Sequence, residues 1–185
     1  MTTPSNHLQQ EDSKLLVALA SAMVEKPRAT LQELAKAVGV SKATLYRSYR
    51  TREQLVDQLM SYSTALIKQV IDKAELDTAL PLDALKLVIA NTLEHREITV
   101  FLMHYWKDVS EDPGIQVVWD AKLDAFFLRG QQSGAFRIDI NAAGLTELLT
   151  TILVGFVDAE RRGRLAKAGL GALVEGAFLH GAIHQ

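Results

Sequence analysis

The chain has 185 residues, of which 48% are hydrophobic, 23% charged and none cysteine, with a net charge of −2. That balance excludes a disordered, collagen-like or low-complexity chain, and the lack of cysteine excludes disulfides, thiolate zinc sites and a cysteine nucleophile. The charge is uneven: from Lys26 to Arg52 seven cations stand against the single acid Glu33, whereas residues 61–185 hold twelve cations and sixteen acids. A basic head on an acidic body suits a polyanion, although a solvated basic face has the same composition.

The apolar spacing is helical almost throughout, which predicts an all-α fold of about nine helices. Residues 1–10 are polar and aperiodic, so a mobile arm is expected there; no basic-then-apolar leader is visible, and a cytosolic protein is expected. A first helix runs from about Glu11 to Glu25 on Leu15, Leu16, Leu19, Ala22 and Met23, and Pro27 stops it. Thr30 and Glu33 form a T-x-x-E capping box for a short second helix, with Leu31, Leu34, Ala35 and Val38 buried and Gly39 ending it. Ser41 caps a short third helix, Lys42 to about Tyr49, with Leu45 and Tyr49 facing inward. Thr51 and Gln54 make another capping box, opening a long fourth helix on Leu55, Leu59, Tyr62, Leu66 and Val70.

Pro81 starts the fifth helix, whose stripe is Leu82, Leu85, Val88, Ile89, Thr92 and Leu93. The sixth covers roughly Ile98 to Lys107. Pro113 begins the seventh, which ends near Ser133-Gly134. Asn141 caps the eighth, with one stripe of Leu145, Leu148, Leu149, Ile152 and Phe156 and a second of Leu153, Val154 and Val157. Its apolar run from Leu148 to Val157 has ten positions, against about twenty for a bilayer span, so no membrane crossing is expected. The ninth spans about Ala166 to Ile183. Apolar residues on two sides of the last helices need a partner as well as a core, which predicts a homodimer through about 142–162 and 166–183.

A helix as short as the third, pinned to another short helix by Val38-Gly39-Val40-Ser41, is poorly explained as a core element and well explained as a reading head. Its outer face presents Lys42, Ala43, Thr44, Tyr46 and Arg47. Arg47 can donate to guanine O6 and N7, Ala43 can touch a thymine methyl, and Thr44 suits a phosphate or a base edge. Tyr46 can donate to a phosphate oxygen, and Arg52 at the fourth helix start can anchor an anion.

The stretch T-L-Q-E-L-A-K-A-V-G-V-S-K-A-T-L-Y-R-S-Y-R-T-R-E-Q-L, Thr30 to Leu55, resembles the DNA-binding domain of the TetR/AcrR family of transcriptional regulators. Its core is G-V-S-K-A-T-L-Y, with an aromatic at Tyr49 and a cation at Arg52. S-G-A-F-R-I-D-I-N, Ser133 to Asn141, followed by two apolar helices, resembles the end of the family's ligand domain. The resemblance implies a DNA-binding domain over 11–55, its helix-turn-helix near 31–50, and a regulatory and dimerisation domain over 56–185. It implies base contacts from Gln32, Lys42, Ala43, Tyr46 and Arg47, with Thr30, Thr44, Ser48 and Arg52 as phosphate contacts or positioning residues. In two places the chain departs from the family. The link Lys26-Pro27-Arg28-Ala29 is short and lacks the common glycine-aromatic pair, and the arm has no lysine or arginine before Lys14 to reach a minor groove.

The resemblance further implies a small-molecule effector whose pocket lies among helices four to eight. The search region is Met103, His104, Trp106, Trp119, Phe126 and Phe127, since such a pocket is apolar with a few directed polar groups. Aromatics at this spacing are also ordinary core. His95 and His104 could donate to an anion; His180 and His184 have i, i+4 metal spacing but no third ligand, so no metal is expected. Glu94 and Asp124 stand alone, and no catalytic constellation or cofactor motif is present. The expected function is therefore a ligand-responsive repressor that binds a palindromic operator on double-stranded DNA as a homodimer. The rival is a small-molecule-binding or enzymatic helical bundle whose basic head is only structural.

Overall fold

The computed structural model describes the backbone of residues 4–109 and 114–182 and the side chains of 12–102, 104, 105 and 118–180. Among the described residues the chain is all helical. The helices are α1 (Pro4–Glu25), α2 (Leu31–Ala37), α3 (Lys42–Ser48), α4 (Arg52–Lys73), α5 (Pro81–Glu94), α6 (Arg96–Val109), α7 (Gly114–Gln132), α8 (Ala142–Arg161) and α9 (Leu170–Ala182). They fall into two compact units. One holds α1–α3, the first half of α4, and α6; the other holds the rest of α4 with α5 and α7–α9. The first unit thus runs past residue 55 to Thr64 within α4 and takes in α6 from Glu97.

The first helix begins at Pro4, not near Glu11, so most of the expected arm is helical backbone; proline lacks only an N–H that the first turn leaves unused. The arm's residues 1–3, Pro113 at the expected start of the seventh helix, and Ile183 and His184 lie outside the described residues. In the first unit Leu16, Leu19, Ala20 and Met23 of α1, Leu31, Leu34 and Ala35 of α2, Leu45 of α3, Leu55 and Leu59 of α4, and Ile98 and Phe101 of α6 are buried.

The second unit is built on phenylalanine. Phe126, Phe127, Phe136 and Phe178 are all buried, with ring centroids 4.9 to 6.5 Å apart and mostly tilted or edge-on, the arrangement that ring quadrupoles favour. Phe136 reaches this cluster because α7 ends in a tight reversal. Gly134 sits at φ 75°, and the amides of Ala135 and Phe136 both donate to the Gly130 carbonyl, at 2.8 and 3.3 Å. Gln131 Nε2 then donates to the Arg137 and Ile140 carbonyls, each at 2.7 Å, holding the loop to α8. Arg129 similarly anchors the α4–α5 loop, donating to the carbonyls of Leu76 (2.6 Å) and Ala79 (2.8 Å).

Two helical stripes differ from their sequence assignment. On α5, Leu82 is 40% exposed and Ala84 is buried instead; Pro81 at N1 sets the phase, so the inward row runs Pro81, Ala84, Leu85, Val88, Ile89, Thr92. On α8 the buried row is Leu145, Leu149, Leu153 and Val157, an i, i+4 ladder drawn from both expected stripes. Leu148, Ile152, Val154 and Phe156 are half-buried. By length and hydropathy α8 could cross a membrane, unlike the ten-residue run considered alone; only 28% of its apolar window is buried. The helix packs mainly against α7 and α9, and also meets α5.

Gly130 lies directly under the Phe136 ring, where a Cβ would collide with the ring carbons. Gly130→Ala is therefore expected to destabilise the second unit by about 1–3 kcal/mol through overpacking, read as a lowered melting temperature by circular dichroism. An unchanged melt would mean that the Phe136 loop yields at no cost.

Candidate nucleic-acid interface

Neither α2 nor α3, of seven residues each, can stand on local propensity, so caps and a few apolar contacts define them. Thr30 closes the capping box of α2 as its spacing predicts. The Thr30 amide and hydroxyl both donate to Glu33 Oε2 at 2.8 Å, and the Glu33 amide donates back to Thr30 Oγ1 at 3.3 Å. Gly39 turns the chain at φ 75°, a conformation that only glycine adopts freely. Ser41 Oγ accepts from the Thr44 amide at 3.0 Å and shares a 2.8 Å hydrogen bond with the Thr44 hydroxyl, capping α3. Leu45 is the buried peg of α3, and half-buried Tyr49 lies just past its end as the C-cap. Burial, with a contribution from Asp12, raises the Tyr49 phenol above its ordinary value. The second box is offset: Thr51 Oγ1 accepts from the Gln54 amide at 3.2 Å, but the Gln54 side chain accepts from the Arg50 amide at 2.9 Å.

With Leu45 inward, the remaining residues of α3 face out. Lys42, Ala43, Arg47 and Ser48 are exposed, Tyr46 is 40% exposed and Thr44 half-buried. Lys42 Nζ donates to Gln32 Oε1 at 3.1 Å and stands 5.3 Å from the Tyr46 ring centre. These bonds bring Gln32, Lys42 and Tyr46 into one string across α2 and α3. A cleft of about 650 Å³ runs beside it, with Thr30, Gln32, Glu33, Lys36 and Lys42 on its walls.

Arg52 is placed differently from the other eight DNA-contact candidates. Its Nη2 donates to the Pro27 carbonyl at 2.7 Å and to the Tyr105 hydroxyl at 3.0 Å, and the guanidinium lies 5.7 Å from the Tyr105 ring centre. Buried Tyr105 in turn donates to the Met23 carbonyl in the last turn of α1 at 3.1 Å. Sequence reasoning did not single out Tyr105, which stands between His104 and Trp106 of the search region, and no local signal marks it: its partners lie 53 and 82 residues away.

The effector search region has members in both units. His104 is exposed in the first unit, its Nδ1 2.9 Å from the Val100 carbonyl. The side chains of Met103 and Trp106 lie outside the described residues. In the second unit half-buried Trp119 donates from Nε1 to Thr150 Oγ1 at 3.3 Å, while Phe126 and Phe127 are in the closed aromatic core. Asp124 accepts from the Thr146 hydroxyl at 2.5 Å. Among the described residues no group of histidines and carboxylates could hold a metal ion.

Residues 27–59 match the family model described as bacterial regulatory proteins, tetR family. The chain is 49% identical over 179 residues to the HTH-type transcriptional regulator NfxB of Pseudomonas aeruginosa, covering 95% of this chain and 96% of that one. The HTH-type transcriptional repressor LfrR of Mycolicibacterium smegmatis is 29% identical over 124 residues, 65% of each chain. The crystal structure of LfrR in complex with proflavine superposes with a TM-score of 0.68 at 18% identity, covering 96% of this chain and 99% of that one. The structure of AibR in complex with isovaleryl coenzyme A and operator DNA gives 0.66 at 19% identity, over 89% and 95%. At such identities the two structures establish the fold alone.

The paired hydrogen bonds from Thr30 hold the Glu33 carboxyl below the usual glutamate range. A depressed folded value means that the cap contributes stability above the unfolded glutamate pKa and loses it as the pH falls through the folded value. Glu33→Gln is expected to flatten the acid limb of the melting temperature between about pH 5 and pH 3. Thermal melts across that window check it; an unaltered limb would detach Glu33 from the acid stability of the head.

Proposed function

The chain belongs to the TetR family of bacterial regulatory proteins, and on that footing we propose that it represses transcription by binding a near-palindromic operator as a homodimer and is released by a small-molecule effector. It is a transcriptional regulator, not an enzyme, as its relatives are. The observation that carries the reading is the outer face of α3. A helix held by its cap and one buried leucine turns Lys42, Ala43, Tyr46 and Arg47 outward together. In this reading 11–55 binds DNA and 56–185 dimerises and regulates, with α6 supporting the head.

Gln32, Lys42, Ala43, Tyr46 and Arg47 would meet base edges, while Thr30, Thr44 and Ser48 would meet phosphates. The Lys42–Gln32 bond and the Lys42–Tyr46 contact support a single preformed reading surface. Operator binding would set the site of action in the cytoplasm. For the effector, Trp119 is the member of the search region in the second unit that keeps a partly open ring, whereas Phe126 and Phe127 could supply only a packed wall.

The dimer would form through α8 and α9. Each buries one row and leaves apolar residues partly open: Leu148, Ile152 and Phe156 on α8, Leu173 and Leu179 on α9. Leu173 is 45% exposed, and a Cβ at Gly155 or Gly176 would meet open space, so a second copy could approach closely. Leu173→Glu is expected to leave the helical content intact and shift sedimentation from dimer to monomer. A dimer of undiminished stability would place the interface elsewhere.

Selection of duplexes from a random library by the purified protein, at two salt concentrations, tests the function. An enriched inverted repeat is expected; salt-labile binding with no motif would overturn it. On that operator Arg47→Ala should cost about 1–3 kcal/mol and relax the preference at one position. Unchanged affinity and preference would remove Arg47 from the reading set.

A further inference from the structure

The short link between α1 and α2 leaves open what fixes α1 against the reading head, and the geometry around Arg52 supplies an answer. We infer that Arg52 is a positioning residue rather than a phosphate contact: with Tyr105 it forms an internal latch that ties α4 and α6 to the carbonyl end of α1. This rests on the proposed DNA-binding function and assigns one residue's part in it.

Three features of the site support the latch. First, two of the three guanidinium nitrogens are out of reach of a phosphate as placed: Nη2 donates to both the Pro27 carbonyl and the Tyr105 hydroxyl, and Nε is buried. Turning Arg52 out to a phosphate would break both bonds. Second, its targets are groups that need a donor. The last carbonyls of a helix lack intrahelical partners and carry the negative end of the helix dipole. Met23 lies in that last turn, and Tyr105 relays the hydrogen bond to it, from Arg52 N–H to Tyr105 O–H to the Met23 carbonyl. Third, the surroundings are unsuited to DNA. The cleft of about 520 Å³ around Arg52 is also lined by two acids, Glu53 and Asp57, against one histidine, His104, and the two acids would oppose a phosphate there. One guanidinium nitrogen serves both acceptors while the flat, weakly hydrated guanidinium lies 5.7 Å from the Tyr105 ring centre; a compact, strongly hydrated lysine ammonium on a differently shaped stem does not reproduce that placement.

The test is operator affinity as a function of salt for the full-length protein and for Arg52→Ala, Arg52→Lys, Tyr105→Phe and the Arg52→Ala/Tyr105→Phe double variant, with a melting curve for each. Tyr105→Phe removes only the hydroxyl, so it carries the test even where Arg52→Ala fails to fold. The latch predicts that Tyr105→Phe and Arg52→Lys each weaken binding about tenfold, the effect of losing a half-buried charge-assisted hydrogen bond. It also predicts that the double variant is no weaker than Arg52→Ala, and that the slope of log affinity against log salt is unchanged, since no phosphate contact is lost. A phosphate contact gives the opposite pattern: Tyr105→Phe binds normally, Arg52→Lys is nearly neutral, and Arg52→Ala flattens the slope by roughly one unit. That pattern overturns the latch. If the unsubstituted chain selects no duplex, the proposed function fails, and the latch as a device for DNA reading fails with it.

Discussion

A helix of seven residues has almost no stability of its own, because nucleation costs more than so few hydrogen bonds return. Everything in the reading head follows from that constraint on α3. Ser41 satisfies the Thr44 amide in the first turn, Gly39 reverses the chain without strain, and Leu45 is the one side chain given up to the core. Because so little of α3 is spent on holding it in place, the rest of its surface is free for recognition. The same economy makes the head dependent on what lies behind it. α2 needs its Thr30–Glu33 box, and α1 needs something firmer than a four-residue link.

The second unit solves a different problem, which is burying long apolar helices whose connections are irregular. Its solution is side chains that donate to loop carbonyls, Arg129 to Leu76 and Ala79 and Gln131 to Arg137 and Ile140. Buried or half-buried loop carbonyls otherwise carry a desolvation cost. With the loops fixed in this way, Phe136 enters the aromatic cluster and Gly130 is required beneath it. The helices that complete the unit, α8 and α9, then have one row committed inward and another row partly open.

How much of this was legible in the sequence depends on the distance over which each feature acts. The Thr30–Glu33 box, the Ser41 and Asn141 caps and the Gly39 turn are local, spanning three or four residues, and their spacing identified them. Helical phase was less secure: α8 carries apolar residues around most of its circumference, so no stripe in the sequence distinguishes Leu149 from Leu148. Contacts across tens of residues left no trace. Periodicity could not show that Arg52 meets Tyr105, or that Phe126 and Phe127 close on Phe136 and Phe178. The effector search region rested on residue type alone, and its members fall in both units, His104 in the first and Trp119 in the second.

The basic window from Lys26 to Arg52 shows why a charge count and a charge surface are different quantities. All seven cations contribute to the long-range field that draws a polyanion toward the head. Only a cation that can reach a phosphate displaces a condensed counterion and so enters the salt dependence of binding. Arg52 is turned onto Pro27 and Tyr105, and Lys42 leans on Gln32 and Tyr46 within the proposed reading surface. Lys26, Arg28, Lys36, Arg47 and Arg50 remain exposed, and of these Arg47 lies on the α3 face proposed to meet bases. The electrostatic attraction of this head is therefore set by composition, while its grip on the backbone is set by the fewer cations that the fold leaves free.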